Sequence, residues 1–159
     1  MIRLYTCLLV CIPFVVGCSR NSIPSDLSAA LRNAPVLDLH SLDPAVRDEE
    51  PVSSFHMWKD LGSTDVSATN VRSRLLDSLD AAVTDNDGVV AACFEPRHGL
   101  RGVYEGKTYD VIICFKCYQA YWYIDGVKQP AFLLTNIAKE TFDTILIDGN
   151  VELPPSTPE

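Results

Sequence analysis

The chain has 159 residues, 47% hydrophobic and 21% charged, which suits one globular domain, leaves little room for two, and excludes a wholly disordered tail. Its 13 Lys and Arg stand against 21 Asp and Glu, a formal net charge of −8. So acidic a balance excludes bulk binding to a phosphate backbone, and nucleic acid is not among the expected partners.

Met1-Ile2-Arg3 carries one positive charge and is followed by an apolar run from Leu4 to Val16. That run falls short of the roughly 20 residues a membrane-spanning helix needs and fits the apolar core of a signal peptide. It ends in Val15-Val16-Gly17-Cys18, which resembles the lipobox of bacterial lipoproteins, with Val15 where Leu is commonest. The resemblance implies cleavage before Cys18, a diacylglyceryl group on its sulfur and acylation, palmitate for example, of the new amine. Two or three acyl chains anchor a protein stably to a bilayer, at about 0.8 kcal/mol per buried CH₂. The expected location is therefore the cell envelope, facing away from the cytoplasm. Ser19 at the following position favours the outer membrane where the source has one. Plain secretion with an incidental Cys18, or a cytosolic chain with an apolar start, are the competing readings. Removal of residues 1–17 takes away Arg3, leaving −9, and also Cys7 and Cys11.

Residues 18–35 read as the lipidated cysteine and a polar tether, with a short helical turn at Leu27–Leu31. A single domain is expected over residues 36–150. A first strand covers Val36 to Leu42 and stops at Asp43-Pro44, before the charged stretch Arg47 to Pro51. A second strand begins at Phe55-His56-Met57-Trp58 and runs toward Gly62. Val71, Leu75, Leu76, Leu79, Ala82 and Val83 recur at three- and four-residue spacings, which predicts a helix from Thr69, its expected cap, to Val83. Asn86-Asp87-Gly88 ends it. Val89 to Phe94 then reads as a short strand. Leu100–Tyr104 and Lys107–Phe115 flank a turn at Glu105-Gly106, and Tyr118–Ile124 and Val127–Leu134 flank Asp125-Gly126. Pro130 places the last strand at an edge or on a bulge. A second helix is expected over Asn136 to Ile147, with Ala138, Phe142, Ile145 and Leu146 as its buried stripe. Residues 151–159 read as a disordered tail. The expected fold is α+β, an antiparallel sheet of five to six strands with two helices packed on one face.

Chemistry-bearing residues concentrate in 93–117, where Cys93-Phe94-Glu95-Pro96-Arg97-His98-Gly99 precedes Cys114-Phe115-Lys116-Cys117. A Cys-Phe-x-Pro-Arg-His-Gly turn followed by Cys-Phe-x-Cys resembles a segment of small exported bacterial proteins of unknown function. The resemblance covers residues 36–125 and implies a common fold without an activity to transfer. Three uses of the sulfurs stay open. Cys93, His98, Cys114 and Cys117 could supply a closed Cys₃His zinc site, although Cys-x₄-His is a loose half-site. A tight turn at Phe115-Lys116 would let Cys114 and Cys117 bridge, whereas a straight strand would leave Cys93 to pair with either. Active dithiol chemistry is the third use, disfavoured because no helix follows Cys117. Arg97, His98 and Arg101, with Lys107, form a positive island able to hold a carboxylate or phosphate; pairing of Arg97 with Glu95 or Asp110 is the plainer use.

Tyr109, Tyr118, Tyr121, Trp122 and Tyr123 are either sheet packing or a binding stripe, with alternation sending Tyr121 and Tyr123 to one face and Trp122 to the other. His40 and His56 have no evident partners in the sequence. No Gly-x-Ser-x-Gly elbow, His-Glu-x-x-His, dinucleotide-binding glycines or phosphate-binding loop is present, and no residue is assigned a catalytic role. The sequence thus reads as a lipid-anchored binding or envelope-structural module, non-enzymatic, whose partners are the membrane and an unidentified protein or small molecule. The alternative is a zinc- or thiol-dependent envelope protein built on Cys93, His98, Cys114 and Cys117.

Overall fold

The computed structural model describes residues 21–47 and 54–154. The expected signal segment and lipidated Cys18, most of the Arg47–Pro51 stretch and residues 155–159 of the expected tail lie outside these residues. The element order is α1 (Ser25–Asn33), β1 (Leu37–Arg47), β2 (Ser54–Phe55), β3 (Trp58–Asp65), α2 (Thr69–Asp85), β4 (His98–Tyr104), β5 (Lys107–Cys114), a 3₁₀ turn (Phe115–Cys117), β6 (Gln119–Ile124), β7 (Val127–Lys128), β8 (Phe132–Leu133) and α3 (Lys139–Asp148). One antiparallel sheet runs β2-β3-β1-β4-β5-β6-β7, with β8 also on β6. The fold is α+β as expected, with eight strands, several very short, in place of five or six, and three helices in place of two.

Period-two alternation decides the faces. Leu37, Leu39, Leu100, Val111, Ile113 and Trp122 point to the helices, and α1, α2 and α3 bury Leu27, Leu31, Leu75, Leu79, Phe142 and Leu146 against them. Each such side chain contributes about 1.5–3 kcal/mol by leaving water. The extra helix, α1, corrects the expected tether. Leu27, Ala30 and Leu31 stand at i, i+3 and i+4 and are at most 1% exposed, so the domain begins well before residue 36. At the other end Val151 and Leu153 pack on the same core, so residues 151–154 belong to it as well.

Both Gly-containing turns form as the sequence predicts. Glu105-Gly106 and Asp125-Gly126 each take positive φ at both positions, as two-residue hairpins require. Other elements differ. β1 continues to Arg47 because Pro44, which has no N–H to give, sits where its ladder with β3 is interrupted, between Asp43 and Arg47. A second irregularity leaves Leu61 out of the register beside Gly62, whose φ is +134°. His56-Met57 is itself a two-residue turn, with φ of 51° and 75°, so β2 and β3 replace the single strand expected there. Val89 to Phe94 is irregular, because Asn86 satisfies the chain locally. Its side chain donates to the Val89 and Leu134 carbonyls and accepts from the Gly88 N–H. Thr69 is the first residue of α2 and not its cap. Pro130 divides the last expected strand into β7 and β8.

The sheet curls, and the β2–β3 hairpin folds over the face turned away from the helices. There Phe55, Trp58, Leu42 and Ile112 form a second, smaller core. Phe55 lies on Gly99, where a Cβ would stand 3.0 Å from its ring.

Candidate functional site

The hairpin at Glu105-Gly106 pairs His98 with Ile113, and the Arg97 N–H donates to the Ile113 carbonyl beyond the last ladder pair. This register brings the 93–98 segment alongside the 114–117 turn. The two meet at a recess of about 500 Å³, closed on its third side by α3. Phe115, Tyr118 and Leu153 supply its apolar wall; Arg97, Lys116 and Lys139 supply cations and Glu95 and Asp143 the anions.

His98 is 1% exposed and donates from Nε2 to Asp143 Oδ1 at 2.8 Å. Burial pushes its pKa below the ordinary 6.5, against the pull of Asp143. The ring is therefore neutral at neutral pH, with its proton on Nε2 and Nδ1 left as an acceptor that has no hydrogen-bond partner among the described residues. Burial also works against the Asp143 charge, but hydrogen bonds from His98 and Lys139 outweigh it and hold that carboxyl below its usual range. Lys139 and Asp143 form an i,i+4 pair on α3. The ring edges of Phe115 and Phe142 box in His98. Lys116 reaches Glu95 at 3.5 Å, and Arg97 points an Nη toward the Pro154 carbonyl at 3.5 Å.

The positive island divides. Arg97 and His98 line the recess, His98 as a neutral support and not as a cation. Lys107 sits beside the β4–β5 turn, across from Tyr104. Arg101 is on the far face of the sheet, bound through Nε and Nη2 to Asp110 at 2.7 and 2.8 Å. Arg101, not Arg97, is thus the partner of Asp110, and it is spent on that ion pair.

The same far face holds two pairings that the sequence does not announce. His56 Nε2 meets Asp110 Oδ2 at 2.7 Å and its ring stacks on Tyr123 at 4.0 Å. His40 Nδ1 meets Asp60 Oδ2 at 2.8 Å. Tyr121 and Tyr123 do share this face, Tyr121 lying under Lys128 and against Phe94, while Trp122 points into the core and donates to the Pro130 carbonyl at 2.8 Å. Tyr121, Trp122 and Tyr123 are thus sheet packing capped by side chains, whereas Tyr118 lines the recess.

The sulfurs settle differently from a four-ligand metal site. Phe115-Lys116 do form a tight turn, and Cys114 and Cys117 are bridged across it with Cα atoms 5.2 Å apart. His98 is engaged with Asp143, and no group of three His, Cys, Asp or Glu among the described residues is arranged to hold a metal ion. The expected Cys₃His cluster is therefore not assembled, because the bridge consumes two of its thiolates and the imidazole faces α3. Cys93 is a free thiol.

The residues missed in the sequence are those of α3. Lys139 and Asp143 carry the i,i+4 spacing of a helix-face ion pair, a signal that was available, whereas nothing in the sequence ties Asp143 to His98, 45 residues away. No helix among the described residues is long and apolar enough to cross a membrane. No known protein family, characterised protein or solved structure matches the chain.

Proposed function

We propose that the chain is a lipid-anchored binding domain of the cell envelope, held at the membrane by acyl chains on Cys18. Its recess between 95–98, 115–118 and α3 takes a small amphiphilic ligand that bears an anionic group. The observation that carries this reading is the composition of the recess: three cations, Arg97, Lys116 and Lys139, outnumber the two carboxylates, Glu95 and Asp143, that pair with the lysines, around an apolar wall in a chain whose net charge is −8. Its volume of about 500 Å³ lies in the range of small-molecule sites. Catalysis is not part of the reading. His98 is sealed from solvent and its proton is directed to Asp143, so it supports the wall and is not placed to exchange protons with a bound molecule. The N-terminal part rests on Val15-Val16-Gly17-Cys18.

Two measurements test this. Intact mass of the natively expressed product should show a chain starting at Cys18 with acyl mass; a product starting at Met1 refutes the anchor. Anilinonaphthalene sulfonate should bind the domain and be displaced by a medium-chain carboxylate more effectively than by the alcohol of equal length. The double variant Arg97→Gln/Lys116→Gln should weaken carboxylate competition roughly tenfold, about 1.4 kcal/mol. Equal competition by acid and alcohol refutes the anionic ligand.

A further inference from the structure

The disulfide and the free thiol are not independent. Cys93 Sγ lies 3.2 Å from Cys117 Sγ, so all three cysteines of the described residues meet at one point. Contact is held from several sides. The Glu95 N–H points at Cys117 Sγ at 3.4 Å, the Ala91 N–H donates to the Cys117 carbonyl at 3.1 Å, and the Gln119 side-chain amide donates to the carbonyls of Ala91 and Cys93 at 3.3 and 3.2 Å. The irregular segment that carries Cys93 is thereby pinned to the turn that carries the bridge.

Access is uneven. Cys114 and Cys117 are at most 1% exposed, whereas Cys93 is half-buried. A thiol kept only for packing is ordinarily sealed in apolar surroundings and inert. Cys93 instead stands between solvent and a buried disulfide, in contact with one of its sulfurs.

We propose that these sulfurs form a three-cysteine relay. The Cys93 thiolate attacks Sγ of Cys117; the Cys93–Cys117 bond forms as the Cys114–Cys117 bond breaks, and Cys114 leaves with the electron pair as a thiolate. The proton given up by Cys93 is returned to Cys114 through solvent. One disulfide and one thiol are present before and after, so the exchange needs no oxidant or reductant. The approach is short, about 1.2 Å from the present contact to a bonded distance near 2.05 Å, and it falls on a segment outside helix and strand. Phe115 and Lys116, which lie between the bridged cysteines, form part of the recess wall. Exchange therefore releases the clamp on that wall and ties down the 93–95 side instead. The relay stands whether or not the recess binds a ligand.

The sequence makes the test direct. Trypsin cuts after Arg74, Arg97, Lys107, Lys116 and Lys128, which puts Cys93, Cys114 and Cys117 on separate peptides, 75–97, 108–116 and 117–128. The full chain is incubated without added thiol in mildly alkaline native buffer, quenched in acid, alkylated and digested without reduction. Expected are two linked pairs, 108–116 with 117–128 and 75–97 with 117–128, with alkylation on Cys93 in the first and on Cys114 in the second. In Cys114→Ser, where Cys93 and Cys117 start as two thiols, glutathione disulfide is added as the two-electron oxidant, and the second pair should rise to nearly all of the protein. Finding only the first pair in the wild type, with all alkylation on Cys93, overturns the relay. So does a Cys114→Ser chain of wild-type circular dichroism in which Cys93 and Cys117 both remain thiols after treatment with glutathione disulfide. If that variant does not fold, the wild-type digest alone decides.

Discussion

Arg101 invites two opposite uses, an anion anchor by its place in the positive island and a structural cation by its contacts, and replacing it with Met separates them. Its partner Asp110 is a carboxylate whose side chain is only 5% exposed, receiving Nε and Nη2 of Arg101 and Nε2 of His56, all within 2.8 Å. Burial opposes the charge on Asp110, but these bonds outweigh it and hold the carboxyl below its ordinary range. Arg101→Met keeps the stem and much of the contact with the Phe55 ring, over which the guanidinium now sits at 4.7 Å, while deleting two charge-assisted hydrogen bonds. Such bonds contribute about 1.5–3 kcal/mol each when enclosed. The Arg101 side chain is 42% exposed, so water replaces part of what it gives, and the expected loss is about 2 kcal/mol in total. Urea unfolding followed by circular dichroism at pH 7 reads it. The sign with pH follows from the depressed pKa: the folded carboxyl binds fewer protons than the unfolded one, so its stabilisation is complete above the unfolded value near 3.9 and is lost as the pH falls through the folded value. The gap between wild type and variant should therefore narrow in acid, and carboxylate competition in the recess should be unchanged. A loss below about 0.5 kcal/mol at pH 7, within the spread of ordinary surface changes, or a gap equal at both pH values, refutes the assignment.

Three further outcomes follow from the geometry. Gly99→Ala should destabilise the domain by about 1–3 kcal/mol, since its Cβ would press on the Phe55 ring from 3.0 Å, and Phe55→Leu in the same chain should recover part of the loss; an unaffected urea midpoint for Gly99→Ala would show that the hairpin is not seated there. His98, held neutral by burial, should make stability fall as the pH drops below about 6.5, because the unfolded imidazole takes up a proton that the folded one does not; the melting temperature should decline from pH 7 to 5, and His98→Asn should flatten that part of the profile, whereas a wild type already flat there contradicts the buried neutral ring. A chain begun at residue 36 should lose cooperative unfolding, one begun at residue 21 should keep it, and Leu27→Ala, at a side chain 0% exposed, should cost about 2–5 kcal/mol; a well-folded chain lacking α1 would restore the tether reading.

What escaped the sequence shares a cause. His56-Met57 offers neither Gly nor Asn, the residues that mark a two-residue turn, yet both adopt positive φ, at a cost on the order of 1–3 kcal/mol each. The turn is held by contacts far along the chain, with Asp110 taking the His56 ring nitrogen, Tyr123 stacking on the ring, and Phe55 seated on Gly99. Local propensity loses there to tertiary packing, and only the assembled sheet shows it. α1 was underestimated for a related reason. Ser25 to Asn33 is polar on average, and its three buried apolar residues count only because β4 and α2 present a surface to bury them. Val89 and Val90, read as strand, are about half exposed; β-branched residues favour a strand only where a neighbouring strand or a core receives them.

The meeting of the two cysteine-bearing segments, by contrast, was contained in one turn. Once Glu105-Gly106 closes with Tyr104 opposite Lys107, antiparallel pairing one residue at a time puts Arg101 opposite Asp110 and His98 opposite Ile113. The same count carried past the ladder brings Glu95 to Lys116, which are joined at 3.5 Å, and sets Cys93 beside the end of the 114–117 turn, where its sulfur contacts Cys117. The recess floor, the ion pair on the far face and the sulfur trio are thus consequences of a single register. An inserted residue between 101 and 104 would exchange the faces of everything N-terminal to it, separating Arg101 from Asp110, His98 from Asp143 and Cys93 from Cys117 together. Because one register positions all three, a variant that disturbs the hairpin cannot test any of them singly; substitutions at the side chains themselves can.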